Sequence, residues 1–307
     1  MLRDDQRCAP SKKLLSGTCY TIQQLQDIAN YYNNIYKDDI IIFDNNTSKN
    51  RLLYRIMIKI TKKTNCDNQI CWLKQGFMKQ HIDTDMLKNT FRPKGPSNQG
   101  NFKWLSNYDI KDVMEQYEYK YSEFKFLGAV PVDFYEINYL NLKNIDFDKL
   151  YDTTYKLGLI INLDKHDQPG SHWVSLYFNL KTYEIYFSDS GGSRPNKYIK
   201  NFIRLIANFC YKKYNSLNNK YDDITSINSD VSFMNYNNKN KYEILFPIKY
   251  NQNKLQYGSS ECGVFSLNFI LRLLNNESFD DYIKNPPNDD KINKCRNIYF
   301  IDENKEH

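Results

Sequence analysis

The apolar positions of this chain change period twice, and the changes divide it. From Tyr20 to Met78 they recur at helical spacing: Ile22, Leu25, Ile28 and Ala29 in one stretch, Leu52, Leu53, Ile56 and Ile60 in a second. Thr21 stands where the first helix needs an N-cap. The second helix is expected over Lys49–Thr64, and a short one over Trp72–Met78, opened by the Cys66-x4-Cys71 pair. A run dense in Pro and Gly, Thr90 to Gly100, then reads as a boundary. A helix is expected over Lys111–Tyr121, led in by Trp104-Leu105-Ser106-Asn107-Tyr108-Asp109-Ile110.

From about residue 129 the pattern becomes that of strands. Leu157–Leu163 is a short continuous apolar run, as a buried strand requires. His172–Phe178 and Tyr183–Asp189, joined by Asn179–Thr182, form a hairpin signal. Tyr198–Tyr214 returns to helical spacing. Residues 214–241, rich in Asn, Lys, Asp and Ser, read as a surface excursion, and Tyr242–Tyr250 as a late strand. After the polar loop Gln256–Glu261, Cys262 is followed at once by Val264, Leu267, Leu271 and Leu274 on one face and Phe265, Phe269, Ile270 and Leu273 on the others. This predicts a buried helix with Cys262 in its first turn. Pro286-Pro287 and a charged tail end the chain.

These elements predict an α+β protein: a helical N-terminal arm over 1–91, a core over 92–300 interrupted by the 214–241 excursion, and a charged tail over 301–307. With 307 residues and 41% hydrophobic content a sizeable core is expected, although a mean hydropathy of -0.72 leaves a very polar remainder. Much of that remainder is Asn and Lys, whose AT-rich codons, like those of the 26 Tyr, reflect base composition as readily as function. A net charge of +6 permits contact with nucleic acid, but no Arg/Lys block or recognised motif supports it, and a solvated basic surface is the preferred reading. No apolar signal core opens the chain and no segment has the roughly 18 apolar residues that span a membrane, so a soluble intracellular protein without a membrane partner is expected. Seven Cys argue against a full disulfide framework. Cys8, Cys19, Cys66 and Cys71 fall together in the arm; a four-thiolate zinc site is one reading, and ordinary reduced thiols, with no metal or other cofactor, the preferred one.

Cys262 taken alone reads as a small core residue. A thiol at a helix N-terminus, however, faces unpaired N–H groups and the positive end of the macrodipole, which favours thiolate. A nucleophile of this kind needs a base, and only four His are present. His307 is terminal, His81 lies in the arm, and His166 has no carboxylate evidently placed beside it. If Leu180 and Lys181 are the two turn residues, Asn179 pairs with Thr182 and, counting back, His172 pairs with Asp189. Their Cβ atoms would then lie roughly 4.5–5.5 Å apart on one sheet face, whereas a register slip of one residue would separate them. An imidazole facing a carboxylate is the base and orienting half of a catalytic triad. Gln256, with Gly258 to bend the loop, can bring a side-chain amide beside the Cys262 N–H toward a developing oxyanion.

His172-Trp173, then Asp189, then Gln256-x5-Cys262-Gly263 resembles the ubiquitin-like-protein (SUMO) proteases, the superfamily that includes the adenovirus protease. Trp104-Leu105-Ser106-Asn107-Tyr108-Asp109-Ile110 is similar to that family's Trp-Leu-Asn-Asp-x-x-Ile segment, with Ser106 and Asn107 in place of Asn and Asp. Cys66–Cys71, Phe91–Pro96, Lys120–Phe124, Asn162-x-Asp164, Gly170-x-His172-Trp173-Val174 and Glu261-Cys262-Gly263 look more specifically like the polyprotein-processing proteases of African swine fever virus and giant DNA viruses.

The resemblance implies a central mixed sheet with the catalytic Cys at a buried helix N-terminus, as in the adenain and papain-like cores, behind a small helical arm domain. It implies a cysteine endopeptidase with Cys262, His172, Asp189 and Gln256 at the centre. It also implies cleavage after Gly-Gly, with Trp104 and Trp173 closing a tunnel over the glycines and Asn107 nearby. The implied partner is a viral polyprotein or the Gly-Gly end of a ubiquitin-like protein, and the implied place is the viral factory in the host cytoplasm and the virion. Removal of host ubiquitin-like modifiers is the alternative, and a binding module without turnover the second; an acyltransferase is disfavoured because nothing suggests an acetyl-CoA site.

Overall fold

The structure, a computed structural model, describes residues 7–79, 84–96, 103–217 and 248–301. Its contacts group into two compact units, residues 1–95 with 297–307, and residues 96–296.

The first unit is helical. Helix α1 (Ile22–Ile35) starts at Thr21, whose hydroxyl accepts from the Gln24 N–H while the Gln24 side chain accepts from the Thr21 N–H, a reciprocal capping box. Helix α2 (Lys49–Thr64) ends where Asn65 turns left-handed. Leu25 and Ile28 of α1 and Leu52, Ile56 and Ile60 of α2 are buried in one cluster with Trp72, against which Tyr20 stacks. Helices α3 (Gln69–Trp72) and α4 (Thr84–Asn89) complete the unit. The expected Trp72–Met78 helix is corrected here: Asn68 caps the turn earlier by accepting from the Cys71 N–H, so Cys71 lies inside α3. The four arm cysteines are corrected as well. Cys8 is disulfide-bonded to Cys19 and Cys66 to Cys71, which replaces both the reduced-thiol and the zinc reading. Spacing could not decide this, because each bond depends on turns that bring the two sulfurs together.

The second unit is built on a five-stranded mixed sheet in the order β1 (Phe124–Pro131), β2 (Lys156–Asn162), β3 (Trp173–Asn179), β4 (Glu184–Ser188), β5 (Ile248–Tyr250). The outer pairs are parallel and the inner two antiparallel. Helix α5 (Asn107–Lys120) precedes the sheet and begins four residues before the expected start, because Ser106 and Asp109 form a capping box. Helix α6 (Phe147–Thr153) follows three short 3-10 turns between Phe134 and Asn144. Helix α7 (Lys197–Leu217) covers one sheet face, its Ile199, Phe202, Ile203 and Ile206 clustered with Leu157, Leu159 and Ile161 of β2 and Val174, Leu176 and Phe178 of β3. Helix α8 (Cys262–Leu274) packs on β3 and β2 and is buried nearly all round, as its continuous apolar run requires. Helices α9 (Phe279–Lys284) and α10 (Asp289–Tyr299), for which no element is expected from the sequence, lie on either side of Pro286-Pro287. Most of the 214–241 excursion, and the expected strand before Ile248, lie outside the described residues.

The β3–β4 hairpin departs from its expected register by two residues. Asn179 pairs with Glu184, so Leu180–Tyr183 form a four-residue loop in which Tyr183 has φ 60. Side chains alternate with period two, so a shift of two keeps every residue on its face where a shift of one would not. His172 and Asp189, each just outside its strand, become diagonal neighbours on the same side.

Candidate active site

Three loops at one end of the sheet bring the site together. The backbone C=O of His172 accepts from the Leu163 N–H at 2.9 Å, which holds the residue at the mouth of β3. Its Nε2 lies 2.6 Å from Asp189 Oδ1, which leaves Nδ1 free of that bond, and the Cys262 side chain is close enough to act on the charge of the ring. Asp189 is 3% exposed. The Gly191 N–H donates to its Oδ1 at 2.7 Å and the Ser193 N–H to its Oδ2 at 3.2 Å. Asn251 grips its backbone from both sides, accepting from its N–H at 2.8 Å and donating to its C=O at 2.7 Å.

This environment sets the charges. Burial works to raise the Asp189 carboxyl, but His172 and the two amides outweigh it and hold the group below the usual carboxylate range. Burial works to lower the His172 imidazole, but its bonds to Asp189 and Cys262 prevail and lift it from 6.5 to about 9. Protonated His172 is therefore favoured by folding. That contribution is complete below the ordinary value of 6.5 and is lost as pH rises through about 9. A thiolate–imidazolium pair needs the protonated ring. The pH profile of kcat/KM is accordingly expected to fall on its alkaline side with a midpoint near 9; a midpoint near 6.5 would mean that Asp189 and Cys262 do not hold the proton.

Cys262 is 2% exposed, and no side chain caps the N-terminus of α8 among the described residues. Gly263 follows because a Cβ there would meet the Leu105 Cβ at 3.0 Å, so glycine lets the Trp104–Leu105 segment approach the start of α8 next to Cys262. The amide of Gln256 is fixed at both ends: its Oε1 accepts from the Ser190 hydroxyl at 2.7 Å and its Nε2 donates to the Gly258 C=O at 2.9 Å. Two N–H bonds are available on that nitrogen, so one donor remains for a further acceptor.

A cavity of about 490 Å³ in this unit is lined by Trp104, Asn107 and Trp173 together with Gly170 and His166. Trp173 is buried and its Nε1–H donates to the Leu105 C=O at 2.9 Å, which locks the ring beside the segment that carries the half-exposed Trp104. The pairing of His166 is also corrected: its Nδ1 lies 2.7 Å from Asp133 Oδ2, a partner that comes from the loop after β1 and carries no sequence signal. Asn251 and Ser190 were equally missed. In a chain this rich in Asn, one more Asn after a strand does not stand out.

The sequence profile of the family described as Vaccinia virus I7 processing peptidase matches residues 85–284, which include every residue of the site named above. The chain belongs to this family. It is 34% identical over 93% of its length, and 89% of the relative's, to a putative thiol protease of Acanthamoeba polyphaga mimivirus. To a cysteine protease of African swine fever virus (isolate Tick/Malawi/Lil 20-1/1983) it is 22% identical over 76% of this chain and 83% of that one. The fold of the African swine fever virus protease crystal structure aligns with a TM-score of 0.60 at 15% identity, covering 97% of this chain and 96% of that one. As a member of this family, the protein is a cysteine protease. Thiol catalysis of this type requires a base held by an orienting group near the thiol; His172 bonded to Asp189, with Cys262 acting on the same ring, is the group of residues here that fits this requirement.

Proposed function

We propose that the protein is an endopeptidase that cleaves after Gly-Gly and matures viral structural polyproteins, within the viral factory or the particle. Cys262 attacks the scissile carbonyl, forming an S–C bond, while the oxyanion is met by the Cys262 N–H and the second N–H of Gln256. His172 gives its proton to the departing amine as the C–N bond breaks. It then takes one from the water that attacks the thioester and releases the thiol. Asp189 keeps the ring oriented throughout.

The observation that carries the Gly-Gly reading is the pair of indoles in one groove beside the nucleophile, with Trp173 locked to the Leu105 carbonyl. An extended backbone that threads between such rings has no room for a Cβ, and Asn107 is placed to bond its peptide groups. The test is a matched set of peptides with Gly-Gly-x, Gly-Ala-x and Ala-Gly-x at the cleaved bond. Each Ala is expected to lower kcat/KM by about 100-fold, the upper part of what exclusion of one methyl-sized group achieves. Equal turnover of all three would end the reading. Rapid release from the C-terminus of a ubiquitin-like protein, with none from Gly-Gly-x precursor peptides, would transfer the activity to modifier removal.

A further inference from the structure

Helix α10 turns a polar face to the loop that delivers Cys262. Asp289, Asn293 and Arg296 are four and three residues apart, the spacing that places side chains on one side of a helix. Each holds the loop at a different point. Asp289 Oδ2 accepts from the N–H groups of Tyr257 and Gly258, both at 2.9 Å. Asn293 Nδ2 donates to Glu261 Oε1 at 3.1 Å. Arg296 Nη2 donates to the Ser260 C=O at 2.8 Å, its Nη1 to the Lys103 C=O at 3.0 Å, and its Nε to Asn293 Oδ1 at 3.1 Å. One guanidinium therefore joins the residue two before Cys262 to the residue next to Trp104.

The loop so held is tightly folded. A Cβ at Gly258 would lie 2.4 Å from Glu261 Oε2, so a side chain there would have to displace the carboxylate that Ser260 and Asn293 hold. Arg296 and Glu261 are 4% and 6% exposed, and burying a guanidinium is costly unless its N–H groups find partners. Burial lowers the affinity of Arg296 for its proton, and the charges of Glu261, Cys262 and Asp109 offset this. Asp289 Oδ1 is buried without a partner among the described residues, a further cost that an apolar side chain would avoid. The residues concerned lie in α10, beyond the stretch matched by the family profile.

We propose that the polar face of α10 sets the conformation of the nucleophile loop, making Asp289, Asn293 and Arg296 positioning residues for catalysis. The directions of the Cys262 N–H and the Gln256 amide follow from the path of residues 257–261, and a misplacement of about 1 Å in such a site costs about 100-fold in rate. Arg296 has a second effect, through Lys103, on the substrate groove. The inference rests on Cys262 being the nucleophile and is independent of the Gly-Gly preference.

The test uses the full chain carrying D289A, N293A, R296M or R296K. It follows peptide turnover, thermal melting, and alkylation of Cys262 by iodoacetamide read by peptide mass, with Cys262→Ala as the blank. D289A and N293A are expected to lower kcat by about 10- to 100-fold with KM within about twofold, and to slow alkylation of Cys262. R296M should lower kcat and also raise KM, because the Lys103 carbonyl is released. R296K should recover part of kcat, since an ammonium keeps the charge and one of the two carbonyl bonds. The proposal is overturned if D289A and N293A, shown by melting to be folded, retain wild-type kcat and alkylation rate, whether or not R296M folds. It is equally overturned if the lost activity tracks only the unfolded fraction.

Discussion

Replacement of His172 by Ala is expected to lower kcat/KM by about 10³- to 10⁴-fold while peptide binding changes little. In the proposed mechanism the ring contributes to both halves of the reaction. Before attack it stabilises the thiolate as an imidazolium, and after attack it holds the proton that the leaving amine must take. Its Nε2 is occupied by Asp189 at 2.6 Å, so Nδ1 is the nitrogen left to serve the thiol, and Cys262 is among the groups that raise the ring. The side chain is 25% exposed, so its removal does not open the main core. Asp189 would still be held by the amides of Gly191 and Ser193 and by Asn251. Alkylation of Cys262 at neutral pH should slow in the same variant, because the cation beside the sulfur is gone. Activity within tenfold of wild type with unchanged alkylation would sink the assignment. The ring of His166, paired with Asp133, would then be the next base to test.

Substitution of Asp189 separates orientation from charge. Asp189→Ala is expected to cost about 10²- to 10³-fold in kcat/KM, since His172 loses the acceptor that fixes its tautomer and ring angle. Asp189→Asn should cost only about tenfold, because an amide oxygen can still accept from Nε2–H, the arrangement that papain-like Cys-His-Asn sites use. Both changes remove the negative charge that helps raise His172, so the alkaline limb of the profile should move below about 9 in each. Measured profiles for the three proteins decide it. Equal losses in the Ala and Asn variants would show that the charge of Asp189, rather than the direction of its bond, is what the reaction uses.

Much of this site could be read before the fold was known, for reasons that differ by residue. Cys262 announces itself because a polar loop gives way at once to a buried helix, a local change of hydropathy. His172 and Asp189 are found through the hairpin, where strand alternation carries the information. Even with the register displaced by two residues the pair survived, since faces depend only on parity. Trp104 and Trp173 were placed by resemblance, and their common cavity needed the packed chain to appear. Asn251, Ser190 and Asp133 carry no local signature. Each acts on a residue distant in sequence, 62, 66 and 33 positions away respectively, and nothing in their neighbours announces the pairing. The same holds for α10, whose mixed charges and flanking prolines resemble a solvated tail until its polar face meets the loop.

By itself the sequence determined where helices α1, α2, α7 and α8 and strands β2 to β4 form, which residue could act as nucleophile, and which His could face a carboxylate. These follow from side-chain periodicity and capping, and both act within a few residues. The tertiary structure alone decided the four-residue hairpin loop and the two disulfides of the arm. It also decided the clamp of Asn251 on Asp189 and the grip of Asp289, Asn293 and Arg296 on the nucleophile loop. Those features are made of hydrogen bonds and covalent links whose partners meet only when turns and distant segments have closed. Hydropathy patterns do not encode which polar group will find which.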